Sequence, residues 1–112
     1  MKKIEKELKA IYDPAKSFYK KAYIINYYDK YNITNKTELK SYNTIICYLK
    51  DSKIHFKYND INNKKIYSMT TLRHIKEFIK QKYYYLELNY KNIINKEKLT
   101  KKDIKKLIDE GR

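Results

Sequence analysis

The chain has 112 residues and a formal net charge of +14, with 27 Lys and Arg against 13 Asp and Glu. That length suits one domain with a modest core, which needs neither a disulfide nor a metal to hold it. Cys47 is the only cysteine, so an internal disulfide is excluded, and its place in an apolar run marks a small buried hydrophobe in a reducing compartment.

The charge has an explanation that involves no partner. Lysine, isoleucine, tyrosine and asparagine supply more than half of the chain, and all four are encodable by codons of A and T alone. Base composition therefore inflates the positive charge, and no block of like charge stands out. A chain this basic still attracts polyanions, whatever produced the bias.

In "MKKIEKELKAIY", Ile4, Leu8 and Ile11 recur at helical spacing and predict a short first helix. It ends near Asp13–Pro14, because the residue before a proline is pushed out of the helical region. Glu5, Glu7 and Lys9 interrupt the apolar stretch that a signal peptide needs, and no apolar run reaches membrane-spanning length. The expectation is a soluble cytoplasmic protein that meets no membrane. From Tyr19 to Tyr28 the β-branched and aromatic residues predict a strand, and "DKYNITNKTE" a polar loop or strand extension.

Next, Leu39 to Lys50 and Lys53 to Asn59 both alternate, with Asp51–Ser52 between them, and predict a hairpin. Pairing Lys50 with Lys53 sets Leu49 opposite Ile54, Cys47 opposite Phe56 and Ile45 opposite Tyr58 on one apolar face. The wetter face collects Tyr48 with His55 and Ile46 with Lys57. Asp-Ser is not a favoured turn pair, which leaves room for a local slip of register.

Ser68 or Thr70 can cap a helix over Met69 to Lys80, whose stripe is Leu72, Ile75, Phe78 and Ile79. On that wheel Arg73, His74, Lys76, Glu77 and Lys80 lie off the stripe, so Arg73→Ala and His74→Ala are expected to leave folding nearly intact. "YYYLEL", Tyr83 to Leu88, reads as a further strand or as a continuation of the helix, and the strand is the preferred assignment. In the C-terminal helix Thr100 is the N-cap, Asp103 the third helical residue, Leu99 and Ile104 the hydrophobic staple, and Gly111 the stop. Together these elements predict an α+β fold, a small antiparallel sheet packed on one face by short helices.

Catalysis is not indicated. His55 and His74 are the only imidazoles, no two ligands show metal-site spacing, and His55 and Cys47 point to opposite faces of the hairpin. The one glycine, Gly111, cannot build a phosphate-cradling loop, and no metal or cofactor is expected. Binding is the better reading: Lys40, Tyr42, Tyr48, Lys50, Lys53, His55 and Lys57 interleave cations with rings on the wet face, and Arg73 and His74 extend the candidate set onto the helix. A solvated sheet face in a lysine- and tyrosine-rich proteome would look the same.

"YDPAKSFYKKA" from Tyr12, "SYNT" from Ser41 and "YSMTTLRHIKEFIKQ" from Tyr67 resemble a family of small proteins of phages and mobile elements in low-GC Gram-positive bacteria. Its members typically carry a Ser-x-Thr-Thr-Leu-Arg-His-Ile-x-Glu-Phe helix, often preceded by a tryptophan where this chain has Ile66–Tyr67. The resemblance runs from Tyr12 to Gln81 within a single domain, and residues 82–112 form an extension with its capped helix. The family supplies no active site. Its setting implies a non-catalytic inhibitor of host defence, of the anti-CRISPR kind, that occludes a host protein or ribonucleoprotein complex. The alternative is direct binding of single-stranded nucleic acid through the hairpin face.

Overall fold

The computed structural model describes residues 2–57 and 68–110. Five strands, β1 (Lys2–Glu7), β2 (Ala22–Tyr28), β3 (Thr34–Ser41), β4 (Thr44–Lys50) and β5 (Lys53–Phe56), form one antiparallel sheet in sequence order. Three helices follow, α1 (Met69–Lys82), α2 (Leu88–Ile93) and α3 (Lys101–Glu110), with single 3₁₀ turns at Tyr83–Tyr85 and Lys96–Lys98. The fold is α+β, as the sequence predicts.

The predicted hairpin forms in the expected register, with Lys50 opposite Lys53, Leu49 opposite Ile54, Tyr48 opposite His55 and Cys47 opposite Phe56. Asp51 and Ser52 both take positive φ, 53° and 64°, the left-handed geometry that suits a tight two-residue turn between twisted strands. Tyr58 lies outside the described residues, and Ile45, predicted on the apolar face with it, instead sits opposite Lys40 and outside the core. Ile46 departs from the wet face. It is the extra residue of a bulge opposite Leu39–Lys40 and joins the core.

Three assignments are corrected. Residues Lys2–Glu7 are an edge strand paired to β2, not a helix. So short a helix is marginal by itself, whereas β2 offers a free row of backbone partners. The alternating run from Leu39 to Lys50 is two strands, broken by a second positive-φ turn at Tyr42 and Asn43, which pairs β3 with β4. "YYYLEL" is not a strand: it holds the 3₁₀ turn that extends α1 and the start of α2, and of its residues only Leu86 is buried. Its β-propensity is overridden because it continues directly from a packed helix.

On the inner face Ala22, Ile24, Leu39, Cys47 and Ile54 meet the α1 stripe Leu72, Ile75, Phe78 and Ile79, while Ile104 and Leu107 of α3 complete the core. Burial alone pushes the Cys47 thiol well above its ordinary pKa, which leaves it an unreactive hydrophobe. Ser68 caps α1 by accepting the Thr71 N–H at 3.1 Å. At α3, the Thr100 N–H donates to the Asp103 carboxylate at 3.0 Å and the Asp103 N–H to the Thr100 hydroxyl at 3.3 Å, the reciprocal capping box the sequence predicts. Leu99 and Ile104 are both buried beside it, as a staple requires. Gly111 lies outside the described residues.

The α1 wheel is wider than its apolar stripe. His74 and Glu77, expected on the wet side, are 0% and 1% exposed. Glu77 Oε1 accepts the N–H groups of Tyr12 and Asp13 at 2.9 and 2.8 Å, and its Oε2 accepts the Gln81 amide at 2.8 Å. A carboxylate thus anchors the long β1–β2 connection to the helix by satisfying backbone groups that would otherwise be stranded.

Candidate functional site

The buried side chains of the helices pack with the inner set, so the other face of the sheet has no covering helix among the described residues. Alternation places Tyr23, Ile25 and Tyr27 of β2, Lys36, Glu38 and Lys40 of β3, Tyr48 of β4 and His55 of β5 on this open face.

At its centre Glu38 is only 3% exposed. The Tyr27 hydroxyl donates to it at 2.6 Å, and the ammonium groups of Lys36 and Lys57 lie 3.6 and 3.9 Å away. The hydrogen bond to the carboxylate, helped by burial, pushes the Tyr27 phenol up to about 12. Lys36 also lies over the rings of Tyr27 and Tyr48, at 4.7 and 5.3 Å, and His55 stacks on Tyr48 with 4.8 Å between ring centres. Lys40 pairs with Glu5 at 3.1 Å and lies 5.5 Å from the Tyr23 ring. The long side chains fold over the face and bury Ile25 and Glu38 while keeping their charged ends in water.

Of the sequence-predicted residues, the structure brings Lys40, Tyr48, His55 and Lys57 onto this face. Lys50 and Lys53 flank the exposed β4–β5 turn. Tyr42 belongs to a different neighbourhood, at the β3–β4 turn, with its ring 5.8 Å from that of His74. The residues missed were Tyr23, Tyr27, Lys36 and Glu38. The alternation of "AYIINYY" held the signal for both tyrosines, but it becomes a surface only once the polar β3 is recognised as their neighbour.

Arg73 and His74 are not a shared recognition pair. Arg73 is engaged by Asp13 through two hydrogen bonds, one of 3.0 Å from Nε, and the guanidinium holds the Asp13 carboxyl below its ordinary range. His74 is in the core, edge-on to Phe18, with Nδ1 2.8 Å from the Ser41 hydroxyl. Ser41 in turn lies 3.2 Å from the Thr71 hydroxyl. Burial, with Arg73 nearby, lowers the His74 pKa and favours the neutral ring, and among the described residues its Nε2 has no hydrogen-bond partner. His74 is therefore withdrawn from the candidate surface, and its removal is no longer expected to be silent. Ser41 and His74 resemble a nucleophile and its base in spacing only, since both are sealed from substrate at 2% and 0% exposure.

Among the described residues no three His, Cys, Asp or Glu side chains are grouped to hold a metal. No described helix is long and apolar enough to cross a membrane.

A family model matches residues 6–106, which span the end of β1, strands β2 to β5, α1, α2 and the first part of α3. The chain belongs to that family, a family of unknown function designated DUF8033. Neither a curated protein nor a solved structure matches the chain.

Proposed function

We propose that the protein is a non-catalytic binding protein of a phage or mobile element, and that its open sheet face engages a host protein or ribonucleoprotein complex that handles nucleic acid. The role is anti-defence, of the anti-CRISPR kind, in the cytoplasm of the host. The biological setting rests on the resemblance of the Ser68–Phe78 block, and the mode of binding rests on the sheet face. The observation that carries it is charge pairing: Lys36, Lys40 and Lys57 each face a carboxylate, Glu38 or Glu5. A phosphate-binding surface needs unpaired cations. A tyrosine-rich face whose lysines are engaged by the carboxylates of Glu38 and Glu5 instead suits a protein partner, where aromatic rings supply contact area at little entropic cost.

The test is capture of partners from nuclease-treated host lysate, with the native chain and with Tyr27→Ala/Tyr48→Ala. The expected result is one stoichiometric complex recovered by the native chain and lost by the double variant. Recovery of nothing reproducible, or equal recovery by both, would refute the assignment.

A second reading, direct binding of single-stranded nucleic acid, draws on the Tyr48–His55 stack and the net charge of +14. It requires affinity that falls steeply with salt and collapses when Lys53, Lys57 and Tyr48 are changed together.

A further inference from the structure

The inner face of the sheet changes character along β2 and β3. Ala22, Ile24 and Leu39 are sealed by the core, but the next inner positions are Asn26 and Thr37, with the Thr37 hydroxyl donating to Asn26 Oδ1 at 2.8 Å. Here the sheet leaves a cleft of about 420 Å³, lined by this polar pair, by Thr34, by Ser52 of the β4–β5 turn, and by Lys82 and Tyr85 at the end of α1. Its volume falls within the roughly 300–1,000 Å³ usual for small-molecule sites.

Lys82 is the informative residue. It is partly buried, and among the described residues no carboxylate lies within ion-pair distance of its ammonium group. Its one ring contact is with Tyr85, 5.8 Å away. Burial, reinforced by the nearby charge of Lys6, lowers the Lys82 pKa. Lys36, Lys40 and Lys57 each have a carboxylate within ion-pair distance, whereas Lys82 is partly withdrawn from water with none among the described residues. Such a cation costs free energy until an anion joins it. Lys36, Lys50 and Asp51 also line the cleft.

The other groups narrow the anion. Tyr85 is 66% exposed and offers a ring face on which a planar base can stack. Asn26 has its carbonyl oxygen engaged by Thr37, which leaves the amide donors for a ligand. We propose that this cleft binds a nucleoside monophosphate, with the phosphate at Lys82 and the base on Tyr85, either as a free nucleotide or as the phosphorylated end of a single strand. The cleft shares Lys36 at its rim with the open sheet face, but the proposal does not depend on the partner assigned to that face.

The experiment follows backbone amide resonances by NMR while adenosine monophosphate, adenosine, inorganic phosphate or a short single strand with a terminal phosphate is added. Adenosine monophosphate or the strand is expected to shift Thr34, Thr37, Ser52 and Tyr85, with adenosine and phosphate alone doing so more weakly. Tighter binding of the strand identifies a strand end as the source, and tighter binding of the mononucleotide identifies a free nucleotide; either supports the site. Lys82→Gln should weaken binding about tenfold, with the melting temperature checked in parallel, and Tyr85→Ala serves where that variant folds poorly. Absence of shifts, shifts confined to other residues, or undiminished binding by both variants would overturn the proposal.

Discussion

On the inner face of the sheet Leu39, Cys47 and Ile54 are sealed by helices α1 and α3, whereas on the outer face Ile25 and Glu38 are sealed by side chains of the sheet itself. The inner burial is apolar and irreversible short of unfolding. The outer burial depends on lysine and tyrosine side chains that can swing away, so a carboxylate at 3% exposure still belongs to an accessible face. Low exposure therefore has two meanings in this molecule, and only contacts across elements distinguish them.

The contrast is most directly broken by truncation. Phe78→Ala is expected to cost about 3–5 kcal/mol in chemical denaturation, since the ring is fully buried and leaves a cavity. A comparable loss from Tyr48→Ala would show that the outer face is a second core. Glu77→Ala should cost about 2 kcal/mol, because it strands two backbone N–H groups that no other described residue accepts. A loss within experimental error would mean that the β1–β2 connection is not anchored through α1.

Acid sharpens the comparison further. His74 has a pKa below the ordinary 6.5 in the folded state, so folding stability is independent of this group above about 6.5 and declines as pH falls through the folded value. His74→Gln should remove that part of the pH dependence, measured by denaturation across the range. Equal slopes for the two proteins would show that His74 is solvated. The smallest effect is expected at Glu38→Gln, roughly 1 kcal/mol or less, because Lys36 and Lys57 reach it from solvent. Its signature is spectroscopic: the Tyr27 phenol should return from about 12 toward 10, read by ring resonances during titration.

Much of the local structure was legible before the fold. The β4–β5 register follows from alternation alone, because a slip of one residue would turn Cys47 and Ile54 outward. The ends of α1 and α3 are announced by Ser68, Thr100 and Asp103, whose side chains satisfy backbone groups within three residues. β1 was hidden because its pairing partner β2 is far along the chain, and Ile4, Leu8 and Ile11 mimic a helical period. The β3–β4 turn was hidden because Tyr42 and Asn43 adopt positive φ without a glycine to signal it.

The candidate surface divides in the same way. Lys40, Tyr48, His55 and Lys57 were found from one hairpin, while Tyr27 and Glu38 needed the three-strand register that sets them side by side. Residue order determined by itself the α+β class, the apolar stripe of α1, the caps and the hairpin, since each arises from side chains a few positions apart. Only the tertiary structure decided that Arg73 meets Asp13, that His74 and Glu77 are buried, and that Lys82 has no counter-charge among the described residues. Those outcomes depend on groups distant in the chain, and a helical wheel has no information about what a neighbouring loop will supply.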